Sequence, residues 1–316
     1  MKFVLAPLAG FTDAPFRLMC RDGGASLAYT EMVSAAGLFH GSRPTRQLME
    51  MMPGEGPVAC QLFGAKEEEL AFAAAEAGKL PFCEINLNAG CPMPKVTREG
   101  AGAKIVESPD LAYRLVKAMV ANTSLPVTVK TRLGPRPGRT TVFEILDAVE
   151  SAGAAGIAVH ARYVSQMHGG PLHLDTLAEV VARAHIPVTG NGSVTDAATA
   201  ARMAQTGVGA IMIGRAALAD PGLFARLADP SAPPAFTSRG AAVRLHLERI
   251  LDFRRRLAEA YSDCHVPGED AYASVKMHVH LFRYFNGLPG AAKIRARLNS
   301  IRTLAEIREI LHELAP

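Results

Sequence analysis

Residues 1–230 alternate eight short β-rich runs with helix-length or loop segments, whereas residues 231–316 show helical periodicity alone. The sequence therefore predicts an α/β chain, a (β/α)8 TIM barrel followed by a C-terminal all-helical domain. The segment Asp229-Pro230-Ser231-Ala232-Pro233-Pro234 marks the boundary, giving domains 1–230 and 231–316. A doubly wound sheet is the alternative, but eight units in so short a stretch favour closure.

The predicted strands are Phe3–Ala6, Leu27–Thr30, Val58–Phe63, Cys83–Leu87, Val127–Thr131, Gly156–His160, Ile186–Thr189 and Ala210–Ile213. Several are continuous apolar runs, as in parallel strands buried on both faces. Helices are predicted over 14–21, 66–77, 110–121, 142–151, 174–184 and 196–205. Ser108 and the Ser193–Asp196 stretch supply side-chain acceptors at two of their starts. In the tail, 241–260, 271–285 and 304–314 read as amphipathic helices.

At 49% hydrophobic over 316 residues, the chain can bury a large core. No apolar stretch approaches the roughly 18 residues of a membrane span. The N-terminal run before Pro7 is too short for a secretory signal. Five scattered cysteines without a C-x-x-C pair suggest neither a disulfide framework nor a metal site. The expectations are a reducing cytoplasm, no membrane, no metal and a monomer. Lys and Arg balance Asp and Glu over residues 1–230, so the net charge of +4 falls on the tail. A positive module on a neutral body points to a polyanionic partner. The plain alternative is a solvated helical face.

Chemistry in such barrels sits at the C-terminal strand ends. Those ends hold Pro7-Leu8-Ala9, Gln61, Asn88 with Cys91, Lys130 with Arg132, His160 with Arg162, Asn191-Gly192-Ser193 and Gly214-Arg215. Amide, ammonium, imidazole and guanidinium groups thus share one rim, and Glu31 is the main acid among them. That set suits an anionic cofactor rich in hydrogen-bond sites. Gly190-Asn191-Gly192 precedes a predicted helix whose N-terminus would hold a phosphate. Gly214 would give a second close approach, and Arg215 a guanidinium. Individually, each residue has a structural reading: Gly-Asn-Gly as a turn, His160 as a bonded core histidine, Gln61 as a partner for buried backbone, Cys60 and Cys83 as small hydrophobes. Cys91 stands apart, because Gly90 and Pro92 place it in a stiffened loop after a strand, with Gly90 free to take an unusual backbone conformation.

Read together, these motifs resemble the tRNA-dihydrouridine synthases. The resemblance runs through Ala6-Pro7-Leu8-Ala9-Gly10-Phe11-Thr12-Asp13, Tyr29-Thr30-Glu31-Met32-Val33, Gln61-Leu62-Phe63-Gly64 and, most specifically, Ile85-Asn86-Leu87-Asn88-Ala89-Gly90-Cys91-Pro92. It continues through Lys130-Thr131-Arg132, His160-Ala161-Arg162, Gly190-Asn191-Gly192 and Ile213-Gly214-Arg215. The tail adds Lys276, His280, Tyr284, Gly287-Leu288-Pro289-Gly290, Arg295 and Arg297. The Cys-Pro-x-Pro-Lys-Val spacing is similar to the bacterial B-type branch. Glu84, Ala161 and Ser193 depart from residues frequent in the family.

The resemblance implies FMN as cofactor and NADPH as reductant. Pro7, Leu8, Ala9, Gln61 and Lys130 would serve the flavin ring. His160, Asn191, Gly192, Ser193, Gly214 and Arg215 would serve the ring and phosphate end. Asn88 and Arg162 would meet the target base, and Lys276, Arg295 and Arg297 the tRNA. Arg254–Arg256, Arg283 and Lys293 are further candidates for RNA. Cys91 would be the proton donor for carbon 5 of uracil. A thiol with a pKa of about 8.5 is mostly protonated at neutral pH, unlike the thiolate a nucleophile requires. Two competing readings are an FMN barrel enzyme acting on a small pyrimidine, similar to dihydroorotate dehydrogenase, and a non-catalytic RNA-binding protein. The basic tail argues against the first, and a flavin would argue against the second.

Overall fold

The computed structural model describes residues 1–285 and 291–313. Among them, nine strands form one parallel sheet: β1 (Lys2–Leu5), β2 (Leu27–Tyr29), β3 (Val33–Ser34), β4 (Val58–Phe63), β5 (Glu84–Ala89), β6 (Val127–Arg132), β7 (Gly156–His160), β8 (Val188–Asn191) and β9 (Ala210–Ile213). β1 pairs with both β2 and β9, and β2 pairs with β4, so eight strands close into the predicted barrel.

The extra strand, β3, continues the line of β2 along β4. From Tyr29 to Val33 there are four steps, against three from Ala59 to Leu62 on the neighbour. One additional residue therefore bulges at the rim, where the predicted second strand is interrupted. There the Gln61 amide donates to Thr30 Oγ1 at 2.9 Å instead of to a backbone carbonyl.

The strands are not apolar on both faces, as their composition suggested. They alternate. Phe3, Leu5, Cys60, Leu62, Ile85, Leu87, Val127, Val129, Ile157, Val159, Ile211 and Ile213 pack outward under the helices. Inward positions are small or polar, with Val4, Ala6, Tyr29, Ala59, Ala158 and Met212 in an inner cluster. Glu84, Asn86, Asn88, Thr128 and Lys130 share the inward parity of β5 and β6. The interior is thus a polar shaft with an apolar jacket.

The jacket is built by α1 (Ala14–Asp22), α2 (Ala35–Phe39), α3 (Arg43–Gln47), α4 (Glu67–Ala77), α5 (Pro94–Thr97), α6 (Pro109–Val120), α7 (Val142–Ser151), α8 (Leu174–Arg183), α9 (Ala197–Ala204), α10 (Arg215–Ala219) and α11 (Leu223–Ala228). Asp13 caps α1 by accepting from the Phe16 amide, and Ser108 caps α6 through the Leu111 amide. Two strand ends differ from expectation. β5 runs two residues further, because Asn88 and Ala89 register with Lys130 and Thr131. β8 begins only after Pro187, which has no amide hydrogen for the ladder. Cys83 is exposed rather than buried, because it precedes β5.

The tail comprises α12 (Arg239–Ala260), α13 (Glu269–Tyr284), α14 (Ala291–Leu298) and α15 (Leu304–Glu313). α14 is absent from the predicted helices; its eight residues are too few for a periodic signal. These helices share a core that includes Leu247, Met277, Leu281 and Ile307. Phe253, Leu257 and Tyr261 of the tail also cluster with Ala14 and Met52 of the barrel. The Tyr261 hydroxyl donates to Glu50 at 2.6 Å, and Arg249 pairs with Asp22. The Gly287–Gly290 motif and the side chain of Lys293 lie outside the described residues.

One unforeseen ion pair sits beneath the mouth. Arg17 and Glu55, 1% and 0% exposed, meet in a two-point contact of 2.8 and 3.1 Å. Arg17 also donates to the carbonyls of Thr12 and Glu50, and Glu55 accepts from the Met52 amide. Every charged atom is thereby satisfied without water.

Candidate active site

The C-terminal strand ends bring the predicted rim together. Asn88 stands beside Lys130 in register, and Arg132, His160 and Asn191 are aligned across β6, β7 and β8.

A line of hydrogen bonds climbs the shaft to the cysteine loop. Glu84 Oε1 accepts from the Tyr29 and Thr128 hydroxyls, both at 2.9 Å. Thr128 Oγ1 accepts from Asn86 Nδ2 at 2.8 Å, and Asn86 Oδ1 from Gln61 Nε2 at 2.7 Å. Gln61 Oε1 accepts from Asn88 Nδ2 at 2.9 Å. Asn88 Oδ1 finally accepts the amides of Gly90 and Cys91, at 3.1 and 2.9 Å. The amide of Asn88 is engaged at both ends and 6% exposed. Expected at the target base, Asn88 as folded holds the thiol's loop. Gln61 uses one site on each end of its amide and keeps one more on each.

Cys91 is half-buried on this loop. Its carbonyl accepts from the Ala103 amide at 2.9 Å, and Arg132 Nε donates to the Gly90 carbonyl at 2.9 Å. Gly90 does not have a positive φ; its role is close approach, since a Cβ there would lie 3.3 Å from the Thr131 backbone. The glycine that needs left-handed backbone is Gly102, at φ +59°, where a Cβ would come within 2.6 Å of the Cys91 carbonyl.

Cations surround the thiol. Lys130 and Arg132 are both close enough to feel a charge on Cys91. Burial, with Arg132 adding repulsion, pushes Lys130 down to about 7. Its Nζ donates to Asn191 Oδ1 at 3.2 Å. His160 is held neutral by burial and by Lys130, Arg132 and Arg162. Arg162 Nη1 lies 3.3 Å from His160 Nε2, so that nitrogen is the acceptor and Nδ1 carries the proton.

The residues expected at the phosphate end lie after β8 and β9. Gly192 has φ +138°, and a Cβ there would strike Leu172 at 2.6 Å and His160 at 3.2 Å. Ser193 takes φ +48° and accepts from Arg162 Nη2 at 2.8 Å. It does not cap α9. Asp196 does, accepting from the Thr199 amide at 2.8 Å. That carboxylate fills the first turn of α9, so the helix start does not offer a phosphate site. At Gly214 a Cβ would make only ordinary contacts with Leu8 and Ala6, so no protein atom forces a glycine there. Arg215 donates to the His168 carbonyl at 3.4 Å. Arg162 has partners on all three nitrogens, including the Gly170 carbonyl, which engages four of its five N–H groups and leaves one on Nη1.

Lys276, expected at the tRNA, pairs with two carboxylates of the barrel. Its ammonium lies 3.2 Å from Asp13 and 3.9 Å from Glu31, and its side chain is 25% exposed. Asp13 chiefly, then Glu31, keep it charged against the cost of burial. Glu31 also accepts the Gly10 amide, so α13 is tied to the loop carrying Pro7, Leu8 and Ala9. Arg297 lies 3.6 Å from Glu309 within the tail, while Arg295, also on α14, is half-buried.

The model of the protein family described as "Dihydrouridine synthase (Dus)" matches residues 4–315. The chain belongs to this family. It is 31% identical to the probable tRNA-dihydrouridine synthase 1 of Synechocystis sp., over 99% of this chain and 86% of that one. It is 36% identical to the tRNA-dihydrouridine synthase B of Xanthomonas campestris, over 72% of this chain and 69% of the relative. Among solved structures, morphinone reductase (TM-score 0.53, 14% identity, 74% of this chain and 87% of that one) shares the barrel. So does the old yellow enzyme homologue of Zymomonas mobilis (TM-score 0.51, 12% identity, 73% and 89%).

Proposed function

We propose that this dihydrouridine synthase reduces uridine in tRNA to 5,6-dihydrouridine, with FMN in the barrel mouth, NADPH as reductant and Cys91 as the proton donor. The observation that carries the reading is the half-buried thiol fixed by Asn88, Arg132 and Gly102 beside a rim of cations. The donor set fits an anionic flavin: among the described residues Lys130 has no carboxylate partner, and His160 is neutral. Residues 1–230 are assigned to catalysis and 231–316 to RNA.

A flavin held there and reduced by NADPH would supply a hydride for carbon 6 of uracil. Cys91 then gives its proton to carbon 5, where negative charge has accumulated. Gln61 and Lys130 would serve the flavin ring, Lys130 by placing positive charge near it. His160, Asn191, Gly192, Ser193, Gly214 and Arg215 border the ring and phosphate. The base is turned out of its RNA surroundings to reach this depth. The test is tRNA from cells lacking this protein: dihydrouridine is missing at its target position and is restored by the wild-type gene. Unchanged dihydrouridine overturns the proposal.

Lys130 gives the cofactor reading a proton signature. A lysine pushed down to about 7 is mostly neutral at pH 8, and an anion beside it restores its charge. FMN binding at pH 8 is therefore expected to take up about one proton. Calorimetry in buffers of different ionisation enthalpy measures this, and Lys130→Met abolishes it. The sign for folding is the reverse of a salt-bridged lysine. Because the folded value lies below the ordinary 10.5, this group favours folding progressively more as pH rises from 7 toward 10.5.

For the tail, Arg295→Ala with Arg297→Ala is expected to weaken tRNA binding and to flatten its salt dependence by about one to two units of log–log slope. NADPH oxidation without tRNA stays unchanged. Equal slopes for variant and wild type would remove α14 from the RNA interface.

A further inference from the structure

Where α1, α12 and α13 meet, three buried side chains converge outside the site just described. Asp13, His246 and His280 are 7%, 0% and 1% exposed. One donor atom from each lies within 4.8 Å of the other two. Among the described residues, His246 Nε2 and His280 Nδ1 have no hydrogen-bond partner.

The opposite nitrogens are engaged. Tyr284 Oη lies 3.2 Å from His246 Nδ1, and His280 meets the backbone of Phe11. With protons on those far nitrogens, the inward ones are bare lone pairs. Two imidazole lone pairs are thus left without a donor beside a carboxylate that has its own donors in Lys276 and the Phe16 amide. Burying such atoms unpaired is costly. A cation satisfies both nitrogens at once and takes the carboxylate as a third ligand. Outer partners on the far imidazole nitrogens are the usual companions of metal-bound histidines.

We propose that Asp13, His246 and His280 form a site for a divalent cation of the zinc class, with water as the fourth ligand, stapling the tail helices to the cap of α1. Imidazole nitrogen and carboxylate oxygen are ligands zinc accepts at about 2.0–2.2 Å, which small side-chain rotations provide. Asp13 bridges outward as well, because Oδ2 pairs with Lys276 and Oδ1 accepts from Phe16. Lys276 therefore competes electrostatically with the ion. Asp13 also lines a cavity of about 110 Å³ shared with Glu31, Glu50 and Tyr272, which gives an ion a path inward. The ligands come from three distant segments, so no metal-binding spacing appears in the sequence.

The test uses untagged full-length protein, stripped with chelator and titrated with Zn2+ or Co2+ alone. Metal content and thermal midpoint are read together. The expected result is about one equivalent bound and a midpoint that rises with metal concentration. His246→Gln and His280→Gln each lose that equivalent. Lys276→Met, which keeps every ligand, binds at least about tenfold tighter because a like charge is gone. Wild-type protein that takes up no equivalent and shows no midpoint shift overturns the proposal, leaving a buried water or shared proton between the imidazoles. Undiminished binding in both histidine variants, or unchanged affinity in Lys276→Met, overturns it as well.

Discussion

Cys91→Ala is expected to give a yellow protein that still oxidises NADPH and no longer reduces uridine in tRNA. The loop is held by contacts the substitution leaves in place. Asn88 bonds the Cys91 amide, Ala103 bonds its carbonyl, and Arg132 bonds the carbonyl of Gly90. None of them uses the sulfur. Only the proton at carbon 5 is lost, and removal of a positioned acid costs typically ~10²–10⁴-fold in rate. Flavin absorbance, NADPH oxidation and single-turnover uridine reduction are measured on one preparation. The gene carrying Cys91→Ala then fails to restore dihydrouridine in the deletion strain. Wild-type turnover in this variant would remove Cys91 from the chemistry while leaving the flavin assignment standing.

The largest stability effect is expected at the Arg17–Glu55 pair. Arg17→Met strands a buried carboxylate with the Met52 amide as its remaining donor. Glu55→Gln leaves a buried guanidinium against an uncharged partner. Either change is expected to cost about 3–5 kcal/mol, the usual penalty for orphaning one member of a buried pair. The double variant Arg17→Met with Glu55→Met costs less than either single change, because no charge is left unpaired. Urea unfolding at constant m-value reads the difference. Single and double variants of equal stability would show that the two charges do not support each other. The effect reaches the site, because Arg17 also donates to the Thr12 carbonyl in the loop that follows Pro7, Leu8 and Ala9.

The barrel and its rim were legible because both follow from local rules. Strand-length apolar runs set the topology, and the strand-end rule places Gln61, Lys130, His160 and Arg215 at one mouth without knowing any distance. What escaped the sequence depends on partners far along the chain. The resemblance set Lys276 at the tRNA, and its ion pairs with Asp13 and Glu31 of the barrel carry no local sign in the sequence. Asn88 was read as a base contact, yet the loop it precedes absorbs its carbonyl oxygen and Gln61 its amide. Gly90 was credited with unusual backbone that Gly102 supplies. The polar alternation of Glu84, Asn86 and Asn88 was visible in the sequence as a period of two. Reading the strand as doubly buried hid it.

The line from Glu84 to Cys91 has an evolutionary consequence. Each amide in it is orientated by the one below, because a carboxylate oxygen accepts from Thr128, which then accepts from Asn86, and so on upward. No member can be exchanged for a residue of opposite donor sense without turning all those above it. The inherited unit is therefore the line and not the single residue. Drift at Glu84, on the barrel floor, is constrained by a thiol it never touches.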